Sequence, residues 1–253
     1  MEYRPYILSG GGLRGLAHAG VIKALQESGT KPSAISGTSA GAVIGAFLAN
    51  GFEPEEVREI IVKQVGIKLL AWNSFRSGLV SMEKIKQFLE KNLRVNTFEA
   101  LQFPLYITAT NFINGSQQVF DRGNLVEAIM ASSAIPAMFP PVFIEGIPYV
   151  DGGLYNNLPV EPLEKQKKDA IAIYVNPLKP FKPEENVFEV LDRALHLSFR
   201  PMVNRSAEGC FLMIEPGGLE QYGMFDVQKL QEIYSCGYQY AIHQLKGNAD
   251  HIV

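Results

Sequence analysis

Two strand–glycine turn–helix units follow each other at the start of the chain, and they restrict the possible folds more than any other feature. An apolar strand, Tyr6-Ile7-Leu8, runs into the segment Gly10 to Gly15. A helix then carries Leu16, Val21, Ile22 and Leu25 on one face and stops at Ser28-Gly29, a C-terminal glycine signal. A second strand around Ala34-Ile35-Ser36 runs into Gly37 to Gly41, and the helix Ala42 to Leu48 closes at Asn50-Gly51. A further helix starts after Pro54. Such units at about 25-residue spacing are the βαβ pattern of a parallel sheet. The apolar share of 47% supplies a core for it, and 19% charge argues against disorder.

Downstream the pattern loosens. Leu69 to Phe75 is apolar and aromatic without clear period, and Trp72 and Phe75 suit either a lipid-facing flap or the core, with core the more frequent place for such residues. Met82 to Leu93 reads as an amphipathic helix. Tyr106 to Phe112 and Gln117 to Phe120 flank Asn114-Gly115, a strong hairpin signal. Leu125 to Met130 reads as helical. Val142 to Ile144 and Ile147 to Val150 form a second hairpin around Glu145-Gly146. Strands at Ala170 to Val175 and Phe211 to Ile214 follow, with helices near Val187 to Phe199 and Val227 to Leu245. Tyr234, Tyr238 and Tyr240 give the last helix an aromatic face suited to packing.

Three glycine motifs carry the chemistry. Gly10-Gly11-Gly12-Leu13-Arg14-Gly15 follows a strand and opens a helix, so its backbone N–H groups can hold an anion. A dinucleotide site would need an acidic residue at the end of the next strand, and around Ile35 there is none. The alternatives are an oxyanion hole or a plain tight turn. Gly37-Thr38-Ser39-Ala40-Gly41 fits G-x-S-x-G between strand and helix, the setting of a nucleophile elbow; otherwise Ser39 caps the helix. Asp151-Gly152-Gly153 closes the second hairpin, either as a turn or as a carboxylate that a substrate can approach closely. All three arising together by chance is expected about once in a thousand such chains.

In these three motifs the sequence resembles the patatin-like phospholipases in their short bacterial form. Ala131-Ser132-Ser133-Ala134-Ile135-Pro136, Phe139-Pro140-Pro141-Val142 and Asn156-Asn157-Leu158-Pro159 also look like that family. The likeness runs from about Ile7 to Leu163. It implies a three-layer α/β/α fold with a mainly parallel central sheet. Residues 5–165 would form the catalytic core, and 166–253 would complete the same domain. It further implies hydrolysis of lipid acyl esters, phospholipid or lysophospholipid, by a Ser39–Asp151 dyad, with no metal and no cofactor.

On that reading Ser39 attacks the ester carbonyl, Asp151 takes its proton, and the amides of Gly11 and Gly12 bind the oxyanion in a loop that includes Gly10, Arg14 and Gly15. Gly37 and Gly41 shape the elbow, and Gly152 and Gly153 the acid turn. A free aspartate, with a pKa near 3.9, is a poor base at neutral pH, so the site has to raise it. Arg14 either steadies the loop or a lipid phosphate, or makes a surface salt bridge. Among the histidines, His18 has a position near the site open to it, four residues after Arg14, with a surface or capping role the first expectation. His243 and His251 fall in the chain order of α/β-hydrolase triads without a motif to mark them, and nothing marks His196.

A net charge of −3 without a basic stripe excludes nucleic acid as the natural partner and leaves shallow contact with a membrane surface. The first residues lack a basic start and an apolar stretch, and Cys210 and Cys236 make no disulfide framework, so a cytoplasmic protein is expected. The rival readings are an acyl transferase using the same serine and a non-enzymatic storage or scaffold protein.

Overall fold

The computed structural model describes residues 1–70, 82–178 and 187–247. It has eight strands: β1 (Glu2–Leu8), β2 (Thr30–Thr38), β3 (Leu105–Asn111), β4 (Gln117–Phe120), β5 (Val142–Ile144), β6 (Ile147–Asp151), β7 (Ile171–Ile173) and β8 (Leu212–Ile214). Seven helices surround them: α1 (Leu16–Glu27), α2 (Ala40–Ala49), α3 (Pro54–Leu70), α4 (Met82–Asn92), α5 (Leu125–Ser132), α6 (Val187–Ala207) and α7 (Leu230–Gly247). The strand at Ala170 to Val175 is shorter than expected, and the last helix is preceded by a separate 3₁₀ turn at Val227–Lys229.

The strand order is β5-β6-β3-β2-β1-β7-β8, with β4 also on β3. The pairs β3–β2, β2–β1, β1–β7 and β7–β8 are parallel, and β4, β5 and β6 add antiparallel pairs. Central parallel strands are covered on both faces and read as unbroken apolar runs. Tyr6, Ile7 and Leu8 of β1 are accordingly all fully buried. Tyr6 and Leu8 join one core with α1, α2, α3, α5 and α7. Ile7 joins another with Leu158, Leu163 and Val203 of α6. The result is a three-layer α/β/α arrangement.

Glycines set how closely the layers approach. A Cβ on Gly20 of α1 would meet the Tyr234 carbonyl of α7, and one on Gly237 of α7 would meet Ala17 of α1. Gly45 lets α2 lie on Ile35 and Leu105, where a Cβ would come within 2.9 and 3.0 Å of their side chains. Two turns follow the sequence signals closely. Gly29 ends α1 at φ 93, and Glu145-Gly146 has φ 50 and 79, the double positive φ of a two-residue hairpin turn.

Candidate active site

β2 ends at Thr38 and α2 begins at Ala40, so Ser39 alone makes the turn, at φ 52 and ψ −117. A serine held there is strained by roughly 1–3 kcal/mol. Its neighbours leave no alternative. A Cβ on Gly37 would lie 2.7 Å from the Gly41 carbonyl, and one on Gly41 would run into the Leu8 carbonyl oxygen. Ser39 occupies the N-cap position but makes no side-chain cap bond. Its side chain lines the same cavity as the carboxylate of Asp151 and lies near enough to favour that group's ionised form. Its N–H donates to Ser132 Oγ at 2.8 Å, and Ser132 Oγ donates to the Thr108 carbonyl at 2.6 Å. A fully buried serine therefore ties the elbow to β3.

Strand β3 also brings Asp151 to the elbow. β4 pairs with Ile107 to Thr110, so the strands pairing over that same stretch, β2 and β6, must share the opposite edge of β3. They meet there end to end. Thr108 pairs with Thr38 and the next residue, Ala109, pairs with Asp151. Two adjacent residues of one strand thus set the spacing of Ser39 and Asp151. Asp151 Oδ1 accepts from Gly153 N–H at 2.7 Å. Gly152 lies so close to the Thr108 carbonyl that no Cβ would fit. Burial pushes the Asp151 carboxyl up from 3.8 to about 6, against the nearby Ser39 side chain and the hydrogen bond from Gly153, which favour the ion.

The glycine loop leaves β1 beside this pair, at the C-terminal end of the parallel strands where α/β sheets hold ligands. Its anchors surround it. Gly10 N–H donates to the Asn157 carbonyl at 3.2 Å and Leu13 N–H to the Met224 carbonyl at 2.8 Å. Asn176 Nδ2 donates to the Gly10 carbonyl at 2.7 Å. Gly12 has φ 56 and lies against Met224, and Gly15 lies against Ala40 at the start of α2. The amide of Gly10 is therefore engaged in the backbone, which removes it from the expected anion-binding set. The N–H groups of Gly11 and Gly12 meet no acceptor among the described residues. Gly10, Gly11, Gly12, Ser39, Asp151, Asn157, Asn176 and His196 line one cavity of about 160 Å³, closed by Ile135, Pro136, Leu154, Phe199 and Met224.

Several expectations need correcting. Arg14 is buried, which excludes the surface salt bridge; its guanidinium lies 3.2 Å from His196 Nε2. Guanidinium only donates, so His196 Nε2 is the acceptor in that contact. His18 is fully buried rather than at the surface or capping. Its Nε2 lies 2.9 Å from the Ser9 carbonyl, and burial pushes its pKa down to about 4, so it is neutral and holds the loop base. His243 is exposed on α7. Tyr234 is buried as expected of packing, whereas Tyr240 is 36% exposed. His251 and residues 71–75 of the aromatic segment lie outside the described residues.

Sequence reasoning assigned no role to Ser132, Asn157, Asn176 or His196. Ser132 and Asn157 stood inside stretches already marked by the family resemblance, and that placement was a usable signal. Asn176 and His196 carry no local mark. Among the described residues no group of three or more His, Cys, Asp or Glu side chains is placed to hold a metal ion.

Comparison with known proteins agrees with this architecture. The sequence model of the patatin-like phospholipases matches residues 6–164. Lysophospholipase NTE1 of Kluyveromyces lactis is 26% identical over 272 residues, covering 92% of this chain but 18% of the yeast protein. A Mycobacterium bovis protein described as an uncharacterized NTE family protein is 34% identical over 172 residues, covering 67% of this chain and 48% of that protein. The chain thus spans less than half the length of these relatives. The crystal structure of VipD from Legionella pneumophila superposes with a TM-score of 0.57 at 16% identity, over 98% of this chain and 67% of that one, a likeness of fold.

Proposed function

The chain belongs to the patatin-like phospholipase family, and from that membership we propose that it is a serine lipid acyl hydrolase working through Ser39 and Asp151. The observation that carries the proposal is that Ser39, at its strained elbow, and the buried Asp151 carboxylate line one cavity with the uncommitted amides of Gly11 and Gly12.

Ser39 Oγ attacks the ester carbonyl as Asp151 accepts its proton, and the oxyanion takes hydrogen bonds from Gly11 and Gly12. Collapse expels the alcohol, which takes the proton back from Asp151. Water then attacks the acyl-enzyme and gives its proton to Asp151; collapse releases the fatty acid as Ser39 Oγ leaves and takes that proton back from Asp151. A carboxylate raised to about 6 is mostly ionised at neutral pH yet basic enough to accept a proton. The name of the yeast relative supports a lysophospholipid-type substrate. The acyl transferase and storage readings gain no observation of their own.

We propose further that the C-terminal part completes one domain with the core. Support comes from β7, which pairs with β1 inside the sheet, and from α7, packed on α1. No helix among the described residues is long and apolar enough to cross a membrane. From the two free cysteines, Cys210 and Cys236, we propose a protein of a reducing, cytoplasmic compartment that meets its lipid at a membrane surface. The functional test is Ser39→Ala. It should abolish fluorophosphonate labelling and release of fatty acid from a lipid-ester panel while the protein stays folded. Persistent hydrolysis by that variant would refute the assignment.

A further inference from the structure

Two hairpin ends project beyond the cavity. Ala109 pairs with Asp151, so Phe112 stands three residues, roughly 10 Å, further along the strand direction. β6 runs back beside it. Phe112 N–H donates to the Pro148 carbonyl at 2.9 Å, and Pro148 pairs with Phe143 of β5. Phe112, Pro148 and Phe143 therefore lie in one row across three backbone segments. Residues of the alternate rows, Tyr149, Val142, Ile144 and Ile147, pack into the interior with Ala131. The outward side chains are unusually bare, with Phe112 52%, Phe143 68% and Ile113 71% exposed. Single exposed apolar residues need no explanation, but three on paired hairpin ends mark a surface with a partner.

The chemistry around them selects the partner. Residues 111–120 and 138–144 contain no Asp, Glu, Lys, Arg or His, and the only charge in the β5–β6 hairpin ahead of Asp151 is Glu145 at its turn. A chain of net charge −3 with an uncharged apolar end is not drawn to anionic lipid. Strand addition by another protein is also disfavoured. β5 has three residues and follows Pro140-Pro141, a blunted edge with little backbone to offer. The cavity rim continues the same character, with Leu154 on its wall 46% exposed and Tyr155 44% exposed.

We infer that Phe112, Ile113 and Phe143, at the ends of the two hairpins beside the cavity, seat the protein on an uncharged, zwitterionic lipid surface from which Ser39 draws its substrate. The inference rests on the lipid hydrolase reading, and its test separates the two. Flotation with phosphatidylcholine vesicles is measured for the Ser39→Ala protein, alone and with Phe112→Ser, Ile113→Ser and Phe143→Ser combined. Hydrolysis of a soluble short-chain ester is measured with the same triple change and Ser39 intact.

The Ser39→Ala protein is expected to float, the triple change to weaken flotation by about tenfold or more, and added phosphatidylserine to strengthen it little. The soluble ester is expected to be cleaved at an unchanged rate. The docking inference is overturned if the parent does not float, if the triple variant floats equally well, or if the three changes instead abolish a concentration-dependent dimer. A wild-type protein inert toward the soluble ester would remove the hydrolase reading, and flotation would still report docking on its own.

Discussion

At the scale of single residues, the site works against the stability of the fold. Asp151 has a native pKa of about 6 against an unfolded value near 3.8, so the native state holds more protons between these limits. Stability from this group is therefore highest below about pH 4 and is lost as pH rises through 6, by about 3 kcal/mol in all. His18 has the opposite sign. Its native pKa of about 4 lies below the unfolded 6.5, so its contribution is lost as pH falls from 6.5 to 4. The two slopes oppose each other over that window. Asp151→Asn removes one of them. Denaturant titrations should show Asp151→Asn equal to wild type near pH 4 and more stable by up to about 3 kcal/mol above pH 7. Activity should fall on an acidic limb near pH 6 as Asp151 protonates. That limb lies close to a histidine's, so substitution is what separates the two bases.

At the scale of elements, the elbow is held by its neighbours more than by itself. Ser132 at the end of α5 bridges Ser39 N–H and the Thr108 carbonyl. Ser132→Ala leaves both without that partner and should cost about 1–3 kcal/mol. On the proposed mechanism, loss of the anchor should lower kcat by about tenfold with KM little changed, because the position of Ser39 and not substrate contact is disturbed. An unchanged kcat would reduce Ser132 to a packing role. Element boundaries were largely legible in the sequence where glycine or the strand period dictates them, as at Gly29, Asn114-Gly115 and Glu145-Gly146. The motif residues Ser39, Asp151, Gly11 and Gly12 were legible for the same reason: only glycine fits Gly37, Gly41 and Gly152. His18 was misjudged because a histidine on a helix gives no sign of which carbonyl will bury it. His196 and Asn176 were invisible because their place in the site depends on how the C-terminal part folds back.

At the scale of the whole molecule, sequence distance is bridged by the sheet. β3 aligns Thr38 with Thr108 and Asp151 with Ala109, and β7 closes the other side of β1. A chain cut after residue 165 would expose that edge of β1 and the face of α1 that α7 covers. It should fail to fold cooperatively, as read by loss of a sharp thermal transition. Gly237→Ala tests the same contact more gently, since its Cβ would press on the Ala17 backbone, and should destabilise by about 1–3 kcal/mol. On the proposed mechanism a carboxylate, without a histidine, serves as base to Ser39. That role is tested most directly by kcat/KM for ester hydrolysis in Asp151→Asn beside His196→Ala, the cavity's only histidine among the described residues. Asp151→Asn is expected to fall by several orders of magnitude, to the level of Ser39→Ala, while His196→Ala keeps activity within about tenfold of wild type. A folded His196→Ala as inactive as Ser39→Ala, with Asp151→Asn still turning over, would contradict it.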